Sequence, residues 1–139
     1  YMEQELKFLE KEESLKYPVA ELGDIRIYFV HYNCAEDAAK KWEIRKKRID
    51  WEHLYIMGCE KDGCTYETIR KFDSLPYEHK VIFTKKKYAE FQSAFYLKGF
   101  EESKELGVVT DFKKKFLKRR YLDDFDYISF LNGKAGKNN

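Results

Sequence analysis

The residues with the most chemistry to offer sit just after apolar runs. His31 closes the run Ile25-Arg-Ile-Tyr-Phe-Val30, and Asp62 lies in the loop-like stretch Gly58-Cys-Glu-Lys-Asp-Gly63. An imidazole titrating near neutrality can take a proton from a sugar hydroxyl, and a carboxylate can orient the acceptor. Arg45 and Arg48 are three residues apart, near enough on a helix to act together on a diphosphate or carboxylate. Asn33 and Thr84 would add polar contacts to a substrate. The set reads as His31 and Asp62 for catalysis, with Asn33, Arg45, Arg48 and Thr84 for substrate binding. Each also has a purely structural reading. His31 is a hydrogen-bonded edge histidine, Asn33 a helix cap, and Asp62-Gly63 a turn; Arg45 and Arg48 pair with acids such as Asp50 or Glu52.

Other motifs are weaker. Cys64 as a nucleophile has no partner base readable from sequence. Asp124-Phe-Asp126 is an Asp-x-Asp pair, which can hold a divalent metal with a nucleotide diphosphate, but it reads first as a solvated turn. Cys34, Cys59 and Cys64 lack the paired spacing of a zinc site and read as small half-buried thiols, so no metal site is expected. Neither glycine-rich phosphate loop nor a nucleophile elbow is present, and the zinc-deaminase signature is missing. No cofactor follows from these residues.

The elements that would position this set alternate. Residues 1–15 carry apolar residues at helical steps and predict an amphipathic helix ending before Tyr17-Pro18. Val19–Leu22 and Ile25–Val30 flank Gly23-Asp24 and suit a two-residue hairpin. The second run is nearly continuous in β-branched and aromatic residues, as in a central strand covered on both faces. A helix is expected over about 34–49, with Asn33 and Glu36 as cap and capping box. Strands follow at 53–57 and 80–84, joined by a helix from Thr65 to Phe72 that Cys64 or Thr65 caps. Strand, helix, strand, helix, strand predicts a right-handed crossover unit with a parallel sheet. Its carboxyl edge would gather His31, Asn33, Asp62 and Thr84, because open α/β sheets bind ligands there. Further on, a helix is predicted over 86–94, a strand at 95–97, a short charged helix over 100–106 and an apolar segment over 127–131. Lys113–Arg120 carries six positive charges in eight residues and reads as an amphipathic helix with a solvated basic face.

Composition sets the frame. The 139 residues are 43% apolar and 37% charged, enough apolar material for a packed core. A formal net charge of +2 gives little support to a dedicated nucleic-acid binder, which ranks last. No run of 18 apolar residues occurs and the amino-terminal stretch has no secretion core. An odd number of cysteines with no signal segment points to a cytoplasmic setting. The expected fold is α/β: a small three-layer domain with a mainly parallel sheet, flanking helices and one antiparallel hairpin. It would span 1–131 as a single domain, with 132–139 a frayed tail. The first residue is Tyr, so the chain is expected to be a piece of a longer protein.

Tyr17-Pro-Val19, Leu22-Gly-Asp-Ile25, Phe29-Val-His-Tyr32, Lys41-Trp42, Arg45, Arg48-Ile49, Phe72-Asp73, Leu75-Pro76 and Lys80-Val-Ile-Phe83 occur in that order. As a set they resemble an uncharacterised bacterial family whose members are described as exopolysaccharide-biosynthesis proteins or acetyltransferases. The resemblance covers about residues 15–100. It implies assembly or decoration of cell-surface polysaccharide, and a further amino-terminal segment that is not in this chain. It carries no catalytic residue over. The expected function is a transferase-like domain using a nucleotide-sugar or acyl donor, with His31 as base. The alternative is a non-enzymatic sugar- or partner-binding module of the same pathway. The partner is a small molecule or saccharide, and 113–120 would make any peripheral membrane or pathway-protein contact.

Overall fold

The structure is a computed structural model that describes residues 4–10, 14–114 and 117–133, with the side chain of Leu117 left out. The chain divides into two compact units, residues 1–51 and 52–139.

In the first unit, β1 (Lys7–Phe8), β2 (Val19–Leu22) and β3 (Ile25–Tyr28) form an antiparallel sheet in the order β1-β2-β3. The predicted hairpin is present. Leu22 pairs with Ile25, and Gly23 takes φ +62° in the two-residue connection, where an L side chain would be strained. Helix α1 (Ala35–Lys46) follows. Its cap is Cys34, not Asn33, and makes no side-chain hydrogen bond. Glu36 and Asp37 in the first turn and Arg45 and Lys46 in the last complement the helix dipole instead. Ala20, Phe29 and Ala38 form the core, with Trp42 edge-on to Phe29 at 6.2 Å.

Two further expectations fail in this unit. Residues 7–8 are an edge strand rather than part of a helix; Leu9 N–H donates to Val19 O at 2.9 Å and extends that pairing. Residues 1–3 and 11–13 of the predicted helix lie outside the described residues. β3 is also not a strand of the parallel sheet. The short Gly23-Asp24 turn commits it to β2, and it stands at an edge with Ile25 and Tyr28 exposed.

The second unit holds the parallel sheet: β4 (Tyr55–Cys59), β5 (His79–Thr84) and β6 (Ala94–Tyr96), in the order β4-β5-β6. Helix α2 (Tyr66–Asp73) connects β4 to β5. Thr65 caps it: Thr65 Oγ1 accepts from Thr68 N–H at 3.2 Å, and Thr68 Oγ1 accepts from Thr65 N–H at 3.4 Å. Such a cap contributes about 1 kcal/mol. Central β5 is buried from Val81 to Thr84, and its alternation feeds two cores. Val81 and Phe83 meet Leu97, Phe100, Leu106, Phe125 and Phe130. Ile82 meets Ile69, Phe91 and Ala94. Each of these β5 side chains contributes roughly 1.5–3 kcal/mol by leaving water.

The rest of this unit departs from expectation. Residues 86–93 and 100–106 form turns and bends, not helices. Fully buried Leu106 ties the latter down, with its N–H donating to Glu60 O at 2.9 Å. The basic stretch is an antiparallel hairpin, β7 (Phe112–Lys114) and β8 (Leu117–Arg120), rather than a helix. A helix would stack Lys114 on Lys118 and Lys115 on Arg119, like charges four apart. Phe116, half of the apolar period that suggested a helix, lies outside the described residues. A single 3₁₀ turn (Tyr121–Asp124) leads to α3 (Tyr127–Leu131), capped by Asp126 Oδ1 accepting from Ser129 N–H at 2.9 Å. The predicted tail falls outside the described residues from 134 onward. The fold is mixed α/β with one parallel and two antiparallel sheets among the described residues.

Candidate functional site

The sheet edge that was to gather the predicted residues is divided. His31, Asn33, Arg45 and Arg48 belong to the first unit, whereas Asp62 and Thr84 belong to the second. His31 and Asn33 are exposed in the turn between β3 and α1. Arg45, with Lys46, borders a hollow of about 310 Å³ walled by Phe29, Tyr32, Trp42 and Ile49. Arg48 lies beyond the end of α1, exposed, its N–H donating to Arg45 O at 3.0 Å. Asp62 is exposed at φ +52°, and its N–H donates to Glu105 Oε2 at 3.0 Å. Thr84 is fully buried. Its hydroxyl lies 2.8 Å from Lys86 O and 3.3 Å from Phe95 O, so it ties the end of β5 to β6 and offers nothing to a ligand.

The second unit has a different concentration of chemistry, along edge strand β6. Two adjoining hollows share Phe95, Tyr96 and Lys98. The first, about 450 Å³, adds Lys87, Tyr88, Ala89 and Ala94. The second, about 470 Å³, adds Lys113, Arg119 and Asp124. Four cations and one carboxylate thus surround three aromatic rings. Aromatic faces suit sugar rings and bases, and ammonium and guanidinium groups suit phosphate or carboxylate.

Local structure explains how each wall is held. Phe95 is anchored edge-on against Phe83 at 6.2 Å and Phe125 at 4.9 Å. The Tyr96 hydroxyl donates to Glu101 Oε1, which holds Tyr96 above the usual phenol range and Glu101 below the usual carboxylate range. Tyr88 follows β5. Burial first, and then the neighbouring Glu60 carboxylate, push its phenol up. Glu60 is a buried acid at the exit of β4; its Oε2 accepts from Lys85 N–H at 2.8 Å. Lys85 Nζ in turn donates to the carbonyls of Ser103 and Lys104, each at 2.6 Å. The loops at the carboxyl edge of the parallel sheet are therefore fastened to one another.

Asp124 sits between two cations, Lys113 and Arg119, with the Arg119 contact at 2.9 Å. Asp126 is engaged as the cap of α3. The two acids of the Asp-x-Asp pair thus do separate jobs, and a divalent ion on Asp124 would have to displace two basic side chains. Among the described residues, no three His, Cys, Asp or Glu side chains converge as a metal site. Burial, then Glu60, push the Cys64 thiol up, which leaves it protonated and a poor nucleophile.

Lys87, Tyr88, Tyr96 and Lys98 escape a motif search because they form no spaced signature. Their signal is positional: Lys85-Lys-Lys-Tyr88 directly follows a buried parallel strand, where ligand loops cluster.

Fold and groove together define a mixed α/β chain whose second unit carries a basic, aromatic-walled groove on the edge of a parallel sheet. A family model described as "Domain of unknown function (DUF1919)" matches residues 1–132, and the chain belongs to that family. An uncharacterized protein of Haemophilus influenzae is 41% identical over 132 residues, which is 95% of this chain and 63% of the relative. The chain thus spans less than two thirds of that relative's length. Among the described residues, no helix is long and apolar enough to cross a membrane.

Proposed function

We propose that this chain is part of a transferase-like protein of bacterial cell-surface polysaccharide biosynthesis, located in the cytoplasm, whose second unit receives an anionic saccharide or nucleotide-sugar donor. One observation carries the reading: Lys87, Lys98, Lys113 and Arg119 surround Tyr88, Phe95 and Tyr96 along β6. The resemblance to exopolysaccharide-biosynthesis proteins supports the setting. Thermal-shift screening of the full chain against nucleotide sugars, free nucleotides, acetyl-CoA and oligosaccharides tests it. A ligand at a hundred times its dissociation constant stabilises by about 2.7 kcal/mol. The expected result is a shift with nucleotide sugars that Lys98→Ala abolishes. A shift with acetyl-CoA alone would move the donor to the acyl class. No shift with any ligand would overturn the groove as a donor site.

A second reading, a saccharide-binding module without catalysis, is favoured by the state of Asp124. It is the carboxylate lining the groove, and both its oxygens are engaged, Oδ2 by Lys113 and Oδ1 by Arg119. His31 and Asp62 stay with the transferase reading as catalytic candidates, and Asn33, Arg45 and Arg48 as binding ones. His31→Ala and Asp62→Asn separate the two readings. Loss of turnover with a donor still bound supports catalysis, and binding without turnover in the unaltered chain supports the module.

A further inference from the structure

Tyr96, one of the two tyrosines of the first hollow, has already spent its proton. Tyr96 donates to Glu101, which also takes the Gly99 N–H on its two oxygens at 3.1 and 3.0 Å. A phenol has one proton, and an ionised carboxylate has none to give back. What the Tyr96 oxygen retains is lone-pair capacity. Both phenols are held above their ordinary range, Tyr96 first by its bond to Glu101 and Tyr88 first by burial, so both are neutral at pH 7. Lys87 and Lys98, in the same wall, are donors only. The hollow therefore pairs cationic donors with a neutral acceptor at Tyr96. A fully ionised inorganic anion such as sulfate has no proton for that oxygen, and a neutral sugar has no charge for the lysines.

We propose that this hollow selects a saccharide bearing an anionic group, with the anion on Lys87 and Lys98 and a sugar hydroxyl donating to the oxygen of Tyr96. The inference rests on the groove reading above and narrows it to a ligand class. A sugar phosphate and a uronate share this chemistry, and the test separates them.

Calorimetric titration of the full chain with glucose 1-phosphate, glucuronate, sulfate and glucose provides that test. At least one of the first two should bind about fivefold tighter than either of the last two, since a hydrogen bond is worth about 0.5–1.5 kcal/mol. The tighter of the two names the anion. Tyr96→Phe keeps the ring and the Gly99 bonds of Glu101, and should weaken that ligand about fivefold while leaving sulfate within about twofold. Equal binding of sulfate and both sugar anions, with Tyr96→Phe silent, overturns this inference and leaves the groove reading standing. Failure of all four ligands to bind overturns this inference, and the nucleotide-sugar screen decides the groove reading separately.

Discussion

A single carboxylate oxygen of Asp73 accepts both the backbone N–H and the hydroxyl of Ser93, each at 2.7 Å. Asp73 ends α2 and Ser93 immediately precedes β6. Ser93 O then accepts from Ile82 N–H at 2.8 Å, so the contact sets where β6 joins β5. The groove wall formed by Phe95 and Tyr96 begins two residues later.

Asp73→Ala should destabilise the second unit by about 2 kcal/mol, because Ser93 is buried and its donors lose a charged acceptor. Asp73→Asn, which keeps an acceptor oxygen, should cost less. Urea unfolding followed by circular dichroism checks the order. Equal midpoints for Asp73→Ala and the unaltered chain would discount the anchor.

Gly99→Ala should cost about 1–3 kcal/mol. Gly99 takes φ +107°, and a Cβ there would lie 2.8 Å from Tyr121 Cε1. Gly63→Ala is the control. It shares a positive φ, +77°, but meets nothing within 4 Å, so it carries backbone strain alone and should cost less. Thermal melts of the two variants decide it.

Stability should fall on acidification below the ordinary carboxylate range. The Arg120 guanidinium and N–H hold Asp123 low, and the Tyr96 hydroxyl holds Glu101 low. A carboxylate depressed by folding contributes fully above its unfolded pKa, about 4, and loses that contribution as pH falls through its folded value. Tyr96 works at the other end. Its phenol is raised, so its contribution is complete below about pH 10 and is lost as pH climbs through the folded value. Melting temperature against pH should therefore flatten at the acid end in Asp123→Asn and at both ends in Glu101→Gln. Unchanged profiles in both variants would show that these contacts add nothing.

Lys98 borders both hollows, so Lys98→Glu should reduce affinity for an anionic saccharide more than Lys87→Glu or Lys113→Glu. Lys113 is partly neutralised by Asp124. In the unaltered chain, raising salt from 0.01 to about 0.15 M shortens the screening length from ~30 to ~8 Å and should weaken binding. Titrations at the two salt levels test both statements.

Much of the second unit's framework was legible, because its signals are local. Two apolar runs with Thr65 opening a helix between them specify β4, α2 and β5, and Gly23-Asp24 specifies the hairpin of the first unit. The place of β3 was not legible. A run rich in β-branched and aromatic residues looks alike at the centre of a parallel sheet and at the edge of an antiparallel one; pairing partners decide, and they lie elsewhere in the chain. Lys113–Arg120 was misread because one Phe-to-Phe spacing of four does not distinguish a helix from two short strands. Three of its charges, on Lys113, Arg119 and Arg120, are matched by Asp123 and Asp124, which lie beyond it in sequence. The groove was hidden for a related reason. Its walls come from segments near residues 87, 96, 113, 119 and 124, and only tertiary structure brings them together.

Both tryptophans of the chain, Trp42 and Trp51, lie in the first unit. The second unit, with the parallel sheet and the groove, has tyrosine and phenylalanine but no indole. Emission excited at the red edge of the tryptophan band therefore watches the first unit alone, while tyrosine absorbance, with seven of the eleven tyrosines in the second unit, weighs mainly the other. A single tube of unlabelled protein carries its own two-channel reporter, and the two signals will melt together only if the two units do.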